Sequence, residues 1–464
     1  MKRFPLSPDR FFLLASLLFG GALVFVNPPF QVPDEPVHFY RAWDISQGNL
    51  VTRRQPGRIG GELPASLWKL EQELVNGMPG NVERKITVGQ IRAGLSVPLD
   101  PKVRTFLAFP NAAIYTFVPY IPQTLVILVG RGLGAPPLAT FYAARLATLL
   151  AATFLTAYAI RRAPALRWLL VLIALTPMAL HQRASVSADA LTIAAAFVLG
   201  ALAARLAFRE GGPGDAAAER RDFLLLTAAA LGLCLCKPAY VLLGAGALCL
   251  APASRVPGGR RSQALAGLAL GLVFVAALAG SRFSESSFRP GVGVDSPAQI
   301  HDAVREPLRF LGVVVHDYWV HADRYLVQLV GQLGWLDVKL PVAFLAVYLF
   351  FLLAFGLLDG LDGEAGRTSI APWQRGVLAV AVLGTLLLVS ASQYAVWTPY
   401  RSTGVEGLQG RYFLPVAPVA IWLFHLRPGR LSAWAGTRLG WAAAGLTALS
   451  AAVTFHALIE RFYG

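Results

Sequence analysis

Long apolar runs separated by short polar breaks dominate the chain. The clearest are Phe11–Val26, Leu138–Ile160, Trp168–Leu180, Ala190–Phe208, Phe223–Leu250, Ala264–Gly280, Leu340–Leu358, Gly376–Val396, Tyr412–Leu426 and Leu439–Leu458. Such runs approach the roughly 20 residues that cross a bilayer core. Backbone groups in hydrocarbon must bond within their own segment, so each run predicts a helix. Phe223–Leu250 is too long for one ordinary span and is interrupted by CKPAY. Its proline removes a backbone donor and its lysine resists burial, which predicts two shorter helices meeting at Lys237.

The stretch FPNAAIYTFVPYIPQTLVILVG, Phe109 to Gly130, decides the topology. Prolines at 110, 119 and 122 argue against a regular span and for a segment lying along the interface. The basic stretches at the N-terminal tip, Arg161–Arg167, Arg205–Arg221 and Arg255–Arg261 then all fall on one side, as the positive-inside bias requires. The expectation is an all-α, polytopic transmembrane bundle of about eleven helices, with a cytoplasmic N-terminus. It forms one integral-membrane domain, 1–464, with a large first extracytoplasmic loop at 27–137, a second at 281–339 and a short third at 397–411. No internal repeat of 20–50 residues and no P-loop is visible.

Composition agrees. The 464 residues are 55% hydrophobic and 14% charged, with a mean hydropathy of +0.55. Soluble domains carry nearer about 25% charged residues. The net charge of +15 follows from the basic loops and gives no reason to expect nucleic acid. Cys234, Cys236 and Cys249 lie in apolar runs without metal or redox spacing and read as buried thiols. Phe11–Val26 resembles a signal sequence, but Asn27-Pro-Pro-Phe-Gln lacks a small-residue cleavage site, so a retained first helix is expected.

Ionisable residues gather at the predicted outer ends. QVPDEPVHFYRA follows the first apolar run and holds Asp34, Glu35, His38 and Arg41. The adjacent carboxylates can accept a proton from a hydroxyl or hold a divalent cation. On a helix, Asp34, His38 and Arg41 would share one face; the competing reading is an acidic cap before a solvated helix. In HQRASVSADALT, Asp189 is either the anion of a helix N-terminus or, with His181 and Arg183, part of a polar cavity roof. Lys237 either snorkels or contacts a lipid phosphate as a point charge. YRSTGVEGLQGRYFLPVAP brings Arg401, Glu406, Gln409, Arg411 and Tyr412 to the mouth of a span. Arg411 offers a planar fork suited to phosphate oxygens, or else faces lipid headgroups. Asp317 and Asp323 are secondary substrate contacts at most, and neither HExxH nor GxSxG occurs.

Together, PDEPVHFYRAWDISQG, SVSADALT, KPAY and QGRYFLPVAP resemble an uncharacterised bacterial membrane family, the domain of unknown function twenty-one forty-two, over roughly the whole chain. That family in turn looks like the C-type integral-membrane glycosyltransferases. DEPVHF is similar to the DE.HF motif of protein O-mannosyltransferases at Asp34, Glu35, His38 and Phe39, with one residue more before His38. The resemblance implies a bacterial inner-membrane enzyme that moves a sugar from a polyprenyl-phosphate donor to a glycan, lipid or protein acceptor at the extracytoplasmic face. It implies Asp34 as general base, Glu35 as its partner or metal ligand, and Asp189 as the acidic residue after the third helix. Lys237 and Arg411 would hold the donor phosphate, supported by Gln409 and Tyr412, with His38 and Arg41 as further substrate contacts. The alternatives are a lipid or oligosaccharide transporter, which wants charges at mid-membrane, and a non-catalytic partner in polysaccharide assembly, whose polar groups would share no cavity.

Overall fold

The computed structural model describes residues 4–208, 215–280, 293–359, 370–424 and 438–464. The chain is an all-α membrane bundle. Among the described residues, six helices are long and apolar enough to cross a membrane: Pro8–Val26, Pro137–Arg162, Ala188–Ala207, Gly259–Gly280, Pro372–Val396 and Leu439–Phe462. Ala188–Ala207 is the central one, buried along most of its length and packed on Pro137–Arg162 and Ala216–Cys236. Its small side chains let neighbouring backbones come close. At Gly200, an added Cβ would lie 2.6 Å from the carbonyl oxygen of Pro418.

Prolines cut several runs where a ring replaces a donor. Phe223–Leu250 divides as expected: Ala216–Cys236 ends at Lys237, a 3-10 turn covers Pro238–Tyr240, and Val241–Leu250 follows. Two other expected spans are corrected. Trp168–Leu180 breaks into Arg167–Ala174 and Pro177–Arg183, where Thr176 caps the second piece by accepting the amide of Ala179. Tyr412–Leu426 is no single helix but a 3-10 turn at Gly410–Phe413, one α-turn at Ala417–Ala420 and a 3-10 turn at Ile421–Leu423. Pro415 and Pro418 prevent a continuous ladder, and residues 425 and 426 lie outside the described residues. Cys249, expected to be buried, is exposed, whereas Cys234 and Cys236 are buried.

The Phe109–Gly130 stretch is broken into Pro110–Ala113, Val118–Tyr120 and Ile121–Gly132. The last helix packs against Glu35–Ser46 and turns Leu125, Leu128 and Val129 outward. That is the amphipathic arrangement of a helix lying in an interface. Segment 27–137 also holds a small antiparallel sheet that an all-helical reading does not contain. Arg53–Gln55 pairs with Arg58–Pro64, which pairs with Arg104–Ala108 in the register Gly60↔Ala108. The turn Gln55-Pro56-Gly57-Arg58 uses Gly57 at φ +69°, a conformation that favours glycine.

One side chain ties the first helix to the rest. Arg145, in the third turn of Pro137–Arg162 and fully buried, donates to the carbonyls of Val24, Asn27 and Pro28 and to both oxygens of Glu35. All five guanidinium donors are thereby used. Glu35 also accepts the amide of Val186 at 3.0 Å, just before the central helix. A second charged cluster, Asp222 with Arg162 and Arg205, lies near the opposite end of the central helix from Asp189. At ~1.5 Å rise per residue, Arg205 is about 24 Å from Asp189 along that helix.

Removing one partner of a buried pair leaves an uncompensated charge, a loss of about 3–5 kcal/mol. Glu35→Ala and Arg145→Ala are each expected to lower the thermal midpoint sharply in detergent or nanodiscs, with loss of monodisperse protein. A Glu35→Ala midpoint within a degree of the native one would overturn the clamp.

Candidate functional site

The site forms where the chain leaves its first helix. Asp34 sits just before Glu35–Ser46 with φ +63°, the left-handed region that aspartate and asparagine tolerate best. It occupies the cap position but makes no capping hydrogen bond. The strained backbone instead splits the two carboxylates. Glu35 is drawn back onto Arg145, and Asp34 faces a cavity.

From Asp34 a row of alternating charges runs inward. Arg411 Nη2 donates to Asp34 Oδ2 at 2.7 Å, and its Nε lies 3.6 Å from Asp189. The Lys237 ammonium is 3.4 Å from the other oxygen of Asp189. Lys237 also stands over the ring of Tyr412 at 4.1 Å, with Tyr115 and Tyr240 at 5.6 and 5.9 Å. Three aromatic faces thus share a cation already paired with a carboxylate, which is how a buried ammonium is tolerated. His38 Nδ1 is 2.6 Å from the Tyr120 hydroxyl, and the Asn111 amide donates to Asp34 at 3.3 Å.

Distant segments meet here because each is locally forced to turn. Lys237 is freed from the helix ladder by Pro238. Arg411 is delivered by Gly410, whose amide donates to Gln328 and where any Cβ would collide with the Tyr325 backbone. Asp189 lies in the first turn of the central helix, where its own amide donates to Ser187. It therefore serves both as helix-terminal anion and as site residue.

A cavity of about 480 Å³ opens on this row. Asp34, His38, Asn111, Tyr115, Lys237, Gln409 and Tyr412 line its polar end. Phe274, Leu278, Ile300, Leu388, Ala395 and Val396 form an apolar wall from the Gly259–Gly280, Ser296–Arg305 and Pro372–Val396 helices. Arg411 stands one contact behind this surface, 3% exposed, against Asp34 and Tyr412. Its Nη1 and the Gln409 Oε1 are buried without a hydrogen-bond partner among the described residues.

Two expected site residues stand elsewhere. Glu35 is turned away from the cavity, with both oxygens taken by Arg145 and one also by the Val186 amide, so it does not stand beside Asp34 as a second cavity carboxylate. Arg41, one turn after His38 on the same helix, does not line the cavity; it is spent on Asp44 and on the carbonyls of Asn49 and Leu50. Among the described residues, no three His, Cys, Asp or Glu side chains group as metal ligands. Asp317 accepts from Tyr325 and from the Val405 amide, holding the 397–411 segment on the Pro307–Gly331 helix. Asn111, Tyr115, Tyr120 and the cavity tryptophans Trp335 and Trp397 carry no motif. Arg145 had a signal: a lone arginine inside an apolar run.

Burial alone would raise the Asp34 pKa, but the Arg411 guanidinium and the Asn111 amide hold it below 3.8, so the carboxylate is ionised. His38 moves down from 6.5 to about 4, chiefly by burial and against the pull of Asp34 and Asp189. It is neutral at physiological pH. Because its folded value is below its unfolded one, acid protonates the unfolded chain first, and stability falls as pH drops from about 6.5 toward 4. His38→Gln is expected to flatten the pH dependence of the thermal midpoint across that window; an unchanged slope would refute the assignment.

Comparison with known proteins yields one positive finding. No curated protein and no solved structure matches the chain significantly. The family described as "Predicted membrane protein (DUF2142)" matches residues 17–420. The match takes in Asp34, Asp189, Lys237 and Arg411 and most of the bundle, and the chain belongs to this membrane-protein family.

Proposed function

We propose that the protein is a membrane glycosyltransferase of the inner bacterial membrane, with its N-terminus cytoplasmic and its site at the extracytoplasmic face. It would take a sugar from a polyprenyl-phosphate donor and pass it to a glycan, lipid or protein acceptor. The observation that carries this reading is the cavity's mixed lining: the Lys237 ammonium and the Asp34 carboxylate share it with apolar side chains from three helices, and Arg411 stands directly behind Asp34. A lipid phosphate bearing a polar headgroup has the matching shape and charge. Orientation rests on the Arg162, Arg205 and Arg255 end of the bundle, which suits the positive-inside bias.

The charge row suggests how binding would prepare the chemistry. Lys237, on the cavity wall, contacts the phosphate directly. Arg411, with Nη1 unspent, turns from Asp34 toward the phosphate oxygens. Asp34, partly exposed on the cavity, then loses its counter-ion, so its proton affinity rises and it becomes a base only when donor is present. The acceptor hydroxyl gives its proton to Asp34 as its oxygen attacks the anomeric carbon. The bond from that carbon to the phosphate oxygen breaks, and Lys237 and Arg411 stabilise the departing phosphate where water is scarce. Attack opposite the leaving group predicts inversion. Transport is less well supported, because the two charge clusters on the central helix lie about 24 Å apart, near its ends rather than at its middle.

The test is transfer from lipid-linked donor in membranes at matched expression. Asp34→Asn keeps the left-handed backbone but not the base. Loss of one general base typically lowers rate about 10²–10⁴-fold, with the lipid donor accumulating. Arg411→Ala should also lose transfer. Full transfer in both variants would overturn the proposal.

A further inference from the structure

The cavity has a feature that neither phosphate binding nor proton transfer uses. The strands Gln332–Leu333 and Val338–Lys339 form a tight hairpin whose turn places Trp335 and Leu336 on the cavity wall. Gly334 has φ +59° and Leu336 has φ +65°. A branched residue in the left-handed region is strained and persists only where its surroundings over-determine it.

The surroundings do so. A Cβ at Gly334 would collide with Asp337 and Val338, so the turn admits only glycine there. Gln332 donates to the Leu336 carbonyl at 2.7 Å across the turn. Arg461 grips Asp337 through Nε at 3.0 Å and Nη2 at 2.6 Å, and the same guanidinium donates to the carbonyls of Met78, Asn81 and Arg84. Trp335 itself donates its indole N–H to the Phe30 carbonyl at 3.1 Å, which fixes the ring and uses its one polar atom. What remains for a ligand is a flat, rigid, half-buried aromatic face.

We infer that this hairpin is a sugar-recognition element, in which the Trp335 indole stacks on the pyranose ring of the lipid-linked donor bound in the cavity. The inference rests on the polyprenyl-phosphate reading above and names the part of the site that reads the carbohydrate. An aromatic face carries partial negative charge and suits the partially positive C–H face of a sugar ring. The sugar's hydroxyls need polar partners beside that face, and Asn111, His38 and Gln409 line the same cavity. An isoprenoid tail would use the aliphatic wall instead, with no need of a fixed indole.

The experiment uses the full chain in nanodiscs and measures binding of bare polyprenyl phosphate and of polyprenyl phosphate bearing glucose, mannose or an N-acetylhexosamine. The native protein is expected to bind at least one glycosylated lipid more tightly than the bare lipid. Trp335→Leu should shrink that preference roughly three- to tenfold, the worth of one aromatic contact, while leaving bare-lipid affinity unchanged. Trp335→Phe should restore part of it. Equal affinity of the native protein for bare and glycosylated lipids overturns the sugar platform and leaves lipid-phosphate binding standing. No binding of either lipid overturns both. If Trp335→Leu loses bare-lipid binding too, Trp335→Phe decides: recovery of both affinities supports stacking, and loss of both makes Trp335 structural.

Discussion

The arrangement depends first on Arg145. A guanidinium with no exposure to solvent is costly unless every donor is used, and here all five are. Three satisfy backbone carbonyls at the end of the first helix, where the orphan acceptors of a helix C-terminus need partners. Two hold Glu35, which also accepts the amide preceding the central helix. One side chain thereby fixes the exit of the first helix and the start of the next and, through Glu35, the entry of the most buried of the six described spans. The pairing is structural, yet it creates the site. With Glu35 pulled one way and φ of Asp34 positive, the neighbouring carboxylate has to face the cavity.

The second constraint is charge balance at the membrane boundary. Asp34, Arg411, Asp189 and Lys237 alternate in sign, so the row is neutral overall, with Arg411, Asp189 and Lys237 buried and Asp34 partly exposed. Such a row is stable without ligand and is also poised. In the proposed reaction an anion entering beside Lys237 would compete for the cations and free a carboxylate. Tyr412 lies under Lys237 and beside Arg411, so the same ring steadies both cations.

Much of this was legible in the residue order because the physics is local. Apolar runs of bilayer length become helices wherever no proline interrupts, and CKPAY breaks its run at Lys237. The same rule, applied to Pro177, Pro415 and Pro418, dissolves two of the expected spans into short turns. The polar ends of the runs also drew attention to Asp34, His38, Asp189, Lys237, Gln409, Arg411 and Tyr412, all now grouped around one cavity. Arg41 and Glu35 stood in the same segment with the same apparent claim, and nothing within that segment separated them from Asp34.

The sequence by itself therefore determined the class of the molecule, a helical membrane bundle with nearly all its ionisable groups collected at helix ends. Hydrophobic length and the cost of burying charge are properties of short stretches, readable without knowing what lies opposite. The tertiary structure alone decided which charges are spent and which are available. That choice depends on partners 110, 377 and 48 residues away in the chain: Arg145 for Glu35, Arg411 for Asp34, Lys237 for Asp189. It depends too on a strained hairpin that sets Trp335 on the cavity wall, anchored by Arg461. Adjacent carboxylates take opposite roles because pairing in a low-dielectric interior is settled by distance in space.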